Sequence, residues 1–318
     1  MATLFCLTFL NYAVTPSDNK NKISTVSISR GSSFFKVTDI LYKAGLIKHR
    51  PLFCLLAVLK NVPKHIKAGE YELVSSMSPL EIIDKLVRGD IKRYRVLIPE
   101  DITLREIAAR LAGLVNEDEF MTLVSDPSFL DFLGIEDTTA EGYLFPDTYT
   151  FNRTMGTREI IETMVRQFRK KVTPEMIRRV GELGLTVSEF VTLASIIGKE
   201  SGQTDEKPLI SAVFHNRLKR GMKLQSDPTA VYDVKYFDGN IKRSDLRRNI
   251  PHNTYKINGL PPSPIANPGI DSLYAALWPA DVGYLYFVSK NDGSHHFSSN
   301  LTAHHEAVLK YQIKMKKN

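Results

Sequence analysis

The sequence predicts an α+β fold: a small N-terminal part built of strand–turn–helix units, then a larger mixed α/β part with long ordered loops. Three observations predict it. Between residues 23 and 115, short alternating apolar segments precede amphipathic helical periods. Longer helical periods with start and stop signals occupy most of 157–221. Beyond 222, proline- and glycine-rich loops lead to a short helix, a strand pair and a last helix. The length, 318 residues, suits about two domains. The expected division is a short apolar N-terminus and linker over 1–22, the βα part over 23–115 and the larger part over 116–318.

The opening segment, "MATLFCLTFLNYAV", falls short of the ~20 apolar residues that cross a membrane. No Lys or Arg precedes it, as one would in a standard signal peptide. It reads as a short or truncated anchor, an h-region or a strand, and "TPSDNKNK" after it as a polar linker. The βα part contains an internal echo. "VSISRGSSFFKVTDIL" (26–41) and "VLIPEDITLREIAARL" (96–111) match at an offset of 70, with Ser33 on Thr103, Val37 on Ile107 and Leu41 on Leu111. Between them, "GEYELVSSMSPLEIIDKLVRGD" repeats the theme with Tyr71, Leu73 and a helix capped at Ser78 with Pro79 first. These units are similar to the building blocks of LysM-type glycan-binding modules, although strand–turn–helix is common enough for so weak an echo to arise by chance.

Residues 116–140 read as connecting helices and loops, and "EGYLFPDTYTF" after them as aromatic and turn-rich. Helices are expected at about 157–171 and 174–184. A third starts at the capping box Thr186–Glu189. Its Phe190, Leu193, Ala194 and Ile197 share one face, Glu200 continues that face, and Ser201-Gly202 is the stop. A carboxylate there is pushed toward its neutral form by apolar neighbours and by the negative helix end. That suits a general acid near neutral pH. The alternative is a solvated Glu at a fraying end, or one paired with Lys199 or Lys207. The next helix, "EKPLISAVFHNRLKRG", ends at Gly221. After the loops come the helix "DSLYAALWP", the strand "YLYFVSK", a turn at "NDGS", a strand "HHFSS" and a helix from Leu301.

The composition, 43% hydrophobic and 24% charged, is that of a globular protein. A net charge of +7 favours anionic surroundings such as phospholipid headgroups or wall polymers. Nucleic acid ranks last, because no basic motif with interleaved aromatics appears. Part of the excess is the tail "KYQIKMKKN", read as a solvated end. Cys6 and Cys54 have no metal-type spacing and are not expected to pair; Cys54 reads as a small core hydrophobe. The late loops carry Gln225, Asp227, Tyr232, Asn253 and Tyr255, types that line sugar grooves and are also ordinary turn residues. There is no nucleophile elbow, P-loop or dinucleotide fingerprint. His295, His296, His304 and His305 lack the H-E-x-x-H pattern, so no metal is expected. Lys199 as a Schiff-base lysine would need a phosphate-cradling loop. What remains is carboxylate acid/base chemistry, as in glycoside cleavage by two carboxylates or its lytic variant with one.

Five segments carry a resemblance: "EGYLFPDTY" (141–149), "LASIIGKES" (193–201), "VFHNRLKRGMKLQSDPTAVY" (213–232), "NTYKINGLPPSPIANPG" (253–269) and "YLYFVSKNDGSHHFS" (284–298). With them, residues 25–312 resemble the endolytic murein transglycosylases of the MltG/YceG type. The resemblance implies a carbon–oxygen lyase held at the bacterial inner (plasma) membrane by one N-terminal helix, its catalytic domain facing the periplasm. It implies cleavage of the MurNAc–GlcNAc β-1,4 bond of nascent peptidoglycan strands to 1,6-anhydro-MurNAc ends, terminating elongation near the synthases. It implies a LysM-like subdomain and neither metal nor organic cofactor. The family's catalytic Glu is the second of a pattern written E-K-E and falls on Glu200. Asp227, Gln225, Asn253, Tyr255, Glu141, Asp147 and Tyr149 become candidates for glycan positioning or support of Glu200. Two departures stand out. The first Glu of the pattern is Gly198 here, which weakens the helix by up to about 1 kcal/mol relative to Ala. The N-terminus is also shorter than an anchor requires. Three rivals remain: a hydrolase using Glu200 with a second carboxylate, a non-catalytic glycan-binding wall protein, and a pyridoxal-phosphate lyase.

Overall fold

The structure, a computed structural model, describes residues 2–62, 65–234, 237 and 239–314; the end of the basic tail, 315–318, lies outside them. The chain packs as two units, Met1–Val96 with Thr150–Gly156, and Leu97–Tyr149 with Thr157–Asn318. Both are mixtures of helices with small two-stranded sheets, so the α+β class holds.

The first unit runs α1 (Ala2–Val14), β1 (Ile23–Ile28), α2 (Phe34–Lys43), α3 (Arg50–Leu59), β2 (Gly69–Val74) and α4 (Pro79–Arg88), and reaches β3 (Tyr94–Leu97). β1 and β2 pair antiparallel with Val26 opposite Tyr71. That register puts Val26, Ile28, Tyr71 and Leu73 on the inner face, and all four are buried. Helix starts follow the caps in the sequence. The Ser33 hydroxyl accepts from Lys36 N, and Ser78 and Glu81 form a reciprocal capping box before Pro79. α4 stops at Gly89, whose left-handed φ of 75° closes the turn. Leu41, Phe53, Ile82, Ile83 and Leu86 complete the core. The apolar N-terminus is a helix rather than a strand: Ala13 enters the core and Phe9 and Tyr12 pack on it, while Leu4, Phe5, Leu7 and Leu10 stay exposed. Among the described residues, no single helix is long and apolar enough to cross a membrane. Both cysteines are free, and Cys54 is only half-buried, its Sγ 3.8 Å from Thr38 Oγ1.

The echo at offset 70 is local. Both copies form strand, turn and helix, and Ser33 and Thr103 cap their helices alike. Yet β1 pairs with β2, whereas β3 pairs with β4 (Thr148–Phe151). Residues 97–115 pack in the second unit, so the compact unit ends at 96 and not at the 115 expected from sequence. Alternation and caps set the local element, but the partner strand is a long-range choice.

The second unit comprises α5 (Leu104–Arg110), α6 (Glu117–Leu123), α7 (Pro127–Phe132), α8 (Thr157–Lys171), α9 (Pro174–Glu182), α10 (Val187–Glu200), α11 (Lys207–Lys219), α12 (Ile270–Leu277), the hairpin of β5 (Tyr286–Ser289) and β6 (His295–Ser298), and α13 (Leu301–Val308). α10 opens on the expected Thr186/Glu189 box and packs against α9, α11 and α12. Every residue from Phe190 to Gly198 is buried, so the helix is enclosed all round and not on the one face that its apolar spacing suggests. Enclosure is tolerable at Ser195 because its hydroxyl is bonded. Ser195 Oγ donates to Thr192 O (2.7 Å) and accepts from Ile265 N (3.0 Å), which stitches the proline-rich loop to the helix. Ser195→Ala would leave the Ile265 N–H without its partner. It should lower the unfolding free energy by about 1–3 kcal/mol in chemical denaturation.

Candidate active site

Glu200 is the last residue of α10, because Ser201 turns extended (φ −145°, ψ 131°). Its side chain is half-buried. Ser226 Oγ donates a short hydrogen bond to Glu200 Oε1. Ser226 is itself buried and held from the 253–256 turn: its N–H donates to Thr254 Oγ1 (2.9 Å), which lies 2.8 Å from Thr229 Oγ1. Gln225, just before it, takes a left-handed φ of 51°, and its N–H donates to Thr254 O (3.3 Å). Asp227, just after it, accepts from Tyr255 OH (2.5 Å). Arg217, buried on α11, donates through Nε to Leu285 O (2.7 Å) and through Nη1 to Leu224 O (2.7 Å), and reaches Gln225 Oε1 at 3.5 Å.

These surroundings set the protonation of Glu200. Burial pushes its carboxyl up to about 7; the Asp227 charge adds to the rise, while the Ser226 bond and the Arg217 cation oppose it. Neither lysine expected as an ion-pair partner takes that role. Lys199 Nζ donates to Asp101 O (3.2 Å), and the buried Lys207 faces Glu100 Oε2 at 3.6 Å. The group can therefore be protonated near neutrality and, once ionised, already has an O–H donor in place. Burial and Asp227 raise the Tyr255 hydroxyl, which stays a proton donor.

Of the other residues singled out in the sequence, Gln225, Asp227 and Tyr255 gather at Glu200, and Asn253 supports them. Asn253 Nδ2 donates to Leu246 O and Arg248 O, and its Oδ1 accepts Tyr255 N (3.0 Å), which fixes the turn carrying Tyr255. The remaining four, Tyr232, Glu141, Asp147 and Tyr149, bond elsewhere. Glu141 is buried and receives Leu104 N (3.0 Å), Asn267 Nδ2 (2.6 Å) and Tyr232 OH (3.1 Å); burial lifts its carboxyl to about 8. Asp147 accepts Thr148 N and Gln167 Nε2, tying β4 to α8. Tyr149 OH donates to Phe145 O within the same turn. Ser226, Thr254 and Arg217 had no sequence signal of their own, although all three lie in or beside the quoted loop and helix motifs. Among the described residues, no three His, Cys, Asp or Glu side chains are grouped to hold a metal, and His295 bonds Glu206 instead (2.6 Å).

The structure also explains Gly198. A Cβ there would lie 1.8 Å from Asp101 Oδ1. Asp101 holds a left-handed φ of 60°, and its Oδ1 is buried without a hydrogen-bond partner. The side-chain space at 198 is thus occupied by the carboxylate of a neighbouring loop. A cleft of ≈ 730 Å³ adjoins the site, and Lys199 and Pro228, the chain neighbours of Glu200 and Asp227, form part of its wall.

Comparison with known proteins agrees with these motifs. The model of the YceG-like family matches residues 26–310. An endolytic murein transglycosylase of Bacillus subtilis (strain 168) is 33% identical over 312 residues, 92% of this chain and 86% of that protein. One of Streptococcus pneumoniae serotype 2 (strain D39 / NCTC 7466) is 32% identical over 327 residues, and the chain spans only 59% of its length. The crystal structure of a YceG-like protein from Listeria monocytogenes is 32% identical with a TM-score of 0.62, covering 91% of this chain and 100% of that one.

Gly198→Ala should cost about 1–3 kcal/mol of stability through overlap with Asp101. Asp101→Gly, which removes both the obstacle and a strained φ, should recover most of that loss in the double variant. A cycle of thermal or urea unfolding curves measures the coupling.

Proposed function

The chain belongs to the YceG-like family, and on that footing we propose that it is an endolytic murein lytic transglycosylase with Glu200 as its acid and then its base. The observation that carries this reading is a half-buried carboxyl at the end of an enclosed helix, up near 7, facing a hydroxyl donor and a second carboxylate. Protonated Glu200 gives its proton to the oxygen of a MurNAc–GlcNAc β-1,4 bond, which breaks at C1 of MurNAc. The resulting carboxylate, held by Ser226, takes the proton of the C6 hydroxyl of the same sugar. The C6 oxygen bonds to C1, no water is consumed, and Glu200 returns to its acid form. Asp227, oriented by Tyr255, raises the proton affinity of Glu200 and offers a negative charge to the oxocarbenium-like centre. The strand–helix–helix–strand order of the first unit supports a LysM-like glycan-holding role. Action on nascent strands at the outer face of the plasma membrane, beside the synthases, completes the proposal.

Asp227 also favours a second reading, in which it activates water and the enzyme hydrolyses the bond. Mass spectrometry of products from uncrosslinked strands distinguishes them. The lytic reading expects ends lighter by one water than hydrolytic ends, lost in Glu200→Gln. Reducing ends would assign hydrolysis. Glycan retained without cleavage by either protein would favour a binding role.

The pH profile tests the role of Glu200. The acid form is needed first, so kcat/KM should fall as pH rises through about 7. Asp227→Asn removes a charge that favours protonation and should move this limb to lower pH. Ser226→Ala removes a bond that favours ionisation and should move it higher. Rates on purified strands across pH read both shifts.

A further inference from the structure

We propose that the ≈ 730 Å³ cleft beside Glu200 holds the acidic stem peptide borne by a murein strand, with Arg105 receiving its carboxylate. This rests on the strand-cleaving reading above and names a further part of the substrate. Position is the first argument. The lining residues of the cleft all belong to the second unit and include Lys199 and Pro228, the chain neighbours of Glu200 and Asp227, which places the cleft within reach of a branch leaving a sugar seated there.

Charge is the second argument. Among the described lining residues, the carboxylates are already engaged. Asp233 is bound through both oxygens by Arg248 (2.6 Å each). Glu106 accepts the backbone and hydroxyl of Thr103 (2.7 and 2.8 Å). Burial favours the neutral form of Glu141. The cations are not matched in this way. Lys199 bonds a backbone carbonyl, and Arg105 stands exposed with neither an ion pair nor a hydrogen bond among the described residues. A guanidinium left free at a cleft mouth is suited to bidentate capture of a carboxylate.

The walls are the third argument. Met121, Val231 and Ile265 are aliphatic or thioether surfaces. Of the aromatic rings among the described lining residues, Tyr232 lies against His252 at 4.7 Å with its hydroxyl spent on Glu141, while Phe237 stands exposed. Apolar walls with unmatched cations suit an acidic peptide with small apolar side chains.

The test has two arms with the full chain and its Arg105→Glu variant. In the first, a labelled murein stem peptide with free carboxylates is titrated by fluorescence anisotropy. Binding that weakens about tenfold or more in Arg105→Glu supports the proposal. Absence of binding up to about 1 mM peptide, or equal binding by both proteins, overturns it. In the second arm, cleavage of strands with their stems is compared with cleavage of amidase-stripped strands. A preference for stems that collapses in Arg105→Glu is expected; equal rates on both substrates overturn the proposal. If the unaltered protein cleaves neither, the strand-cleaving reading falls, and the first arm still decides what the cleft binds.

Discussion

The enclosure of α10 is the constraint on which the rest of the second unit depends. A helix buried from Phe190 to Gly198 has no wet face, so the Ser195 hydroxyl bonds to neighbouring backbone and the last residue of the helix emerges from an apolar interior. Glu200 inherits that environment. Its carboxyl is driven upward by desolvation, and the same interior holds the proline-rich loop that brings Ser226 and Asp227 to it. The loop is held for a physical reason: the hydroxyls of Thr229 and Thr254 bond each other and the backbone N–H and C=O of Ser226, which leaves the Ser226 hydroxyl for Glu200.

Among the described residues, three carboxyls are raised by burial, and their neighbours divide their roles. Glu141 is locked by an amide, a side-chain amide and a phenol, and its work is to hold the start of α5 and the 267 turn together. Asp101, raised to about 6, fills the notch over Gly198 from a strained backbone. Glu200 has a single hydroxyl donor and a charged neighbour, and it remains half-exposed. A raised pKa alone would not separate these three. Accessibility sets Glu141 apart, since it is buried while Asp101 and Glu200 are both half-buried; the Ser226 hydroxyl on its carboxylate sets Glu200 apart from Asp101, whose Oδ1 has no hydrogen-bond partner among the described residues.

Element by element, the sequence was most informative where the cause of structure is local. The Thr186/Glu189 box, the Ser78 cap with Pro79, and the strand "YLYFVSK" form where propensity and capping place them. The echo between 26–41 and 96–111 was real at that level, since both copies became strand, turn and helix. It misled about organisation, because pairing and packing are chosen by distant residues. The apolar start was legible as apolar, but only the face carrying Phe9, Tyr12 and Ala13 meets the first core while Leu4, Phe5, Leu7 and Leu10 stay exposed, and amino-acid type alone cannot say which.

By itself the sequence determined the helix starts, the α+β class and the loop motifs; a carboxylate continuing an apolar face raised the question of Glu200, and the family resemblance of the surrounding motifs selected it. Only the tertiary structure decided what surrounds it. Ser226 reaches Glu200 across 26 positions of chain, and Asn267 reaches Glu141 across 126. Asp101 closes the space over Gly198, 97 positions further along the sequence. Such contacts depend on how buried surfaces fit together, and a hydrogen bond between distant residues leaves no periodicity in the sequence from which it could be read.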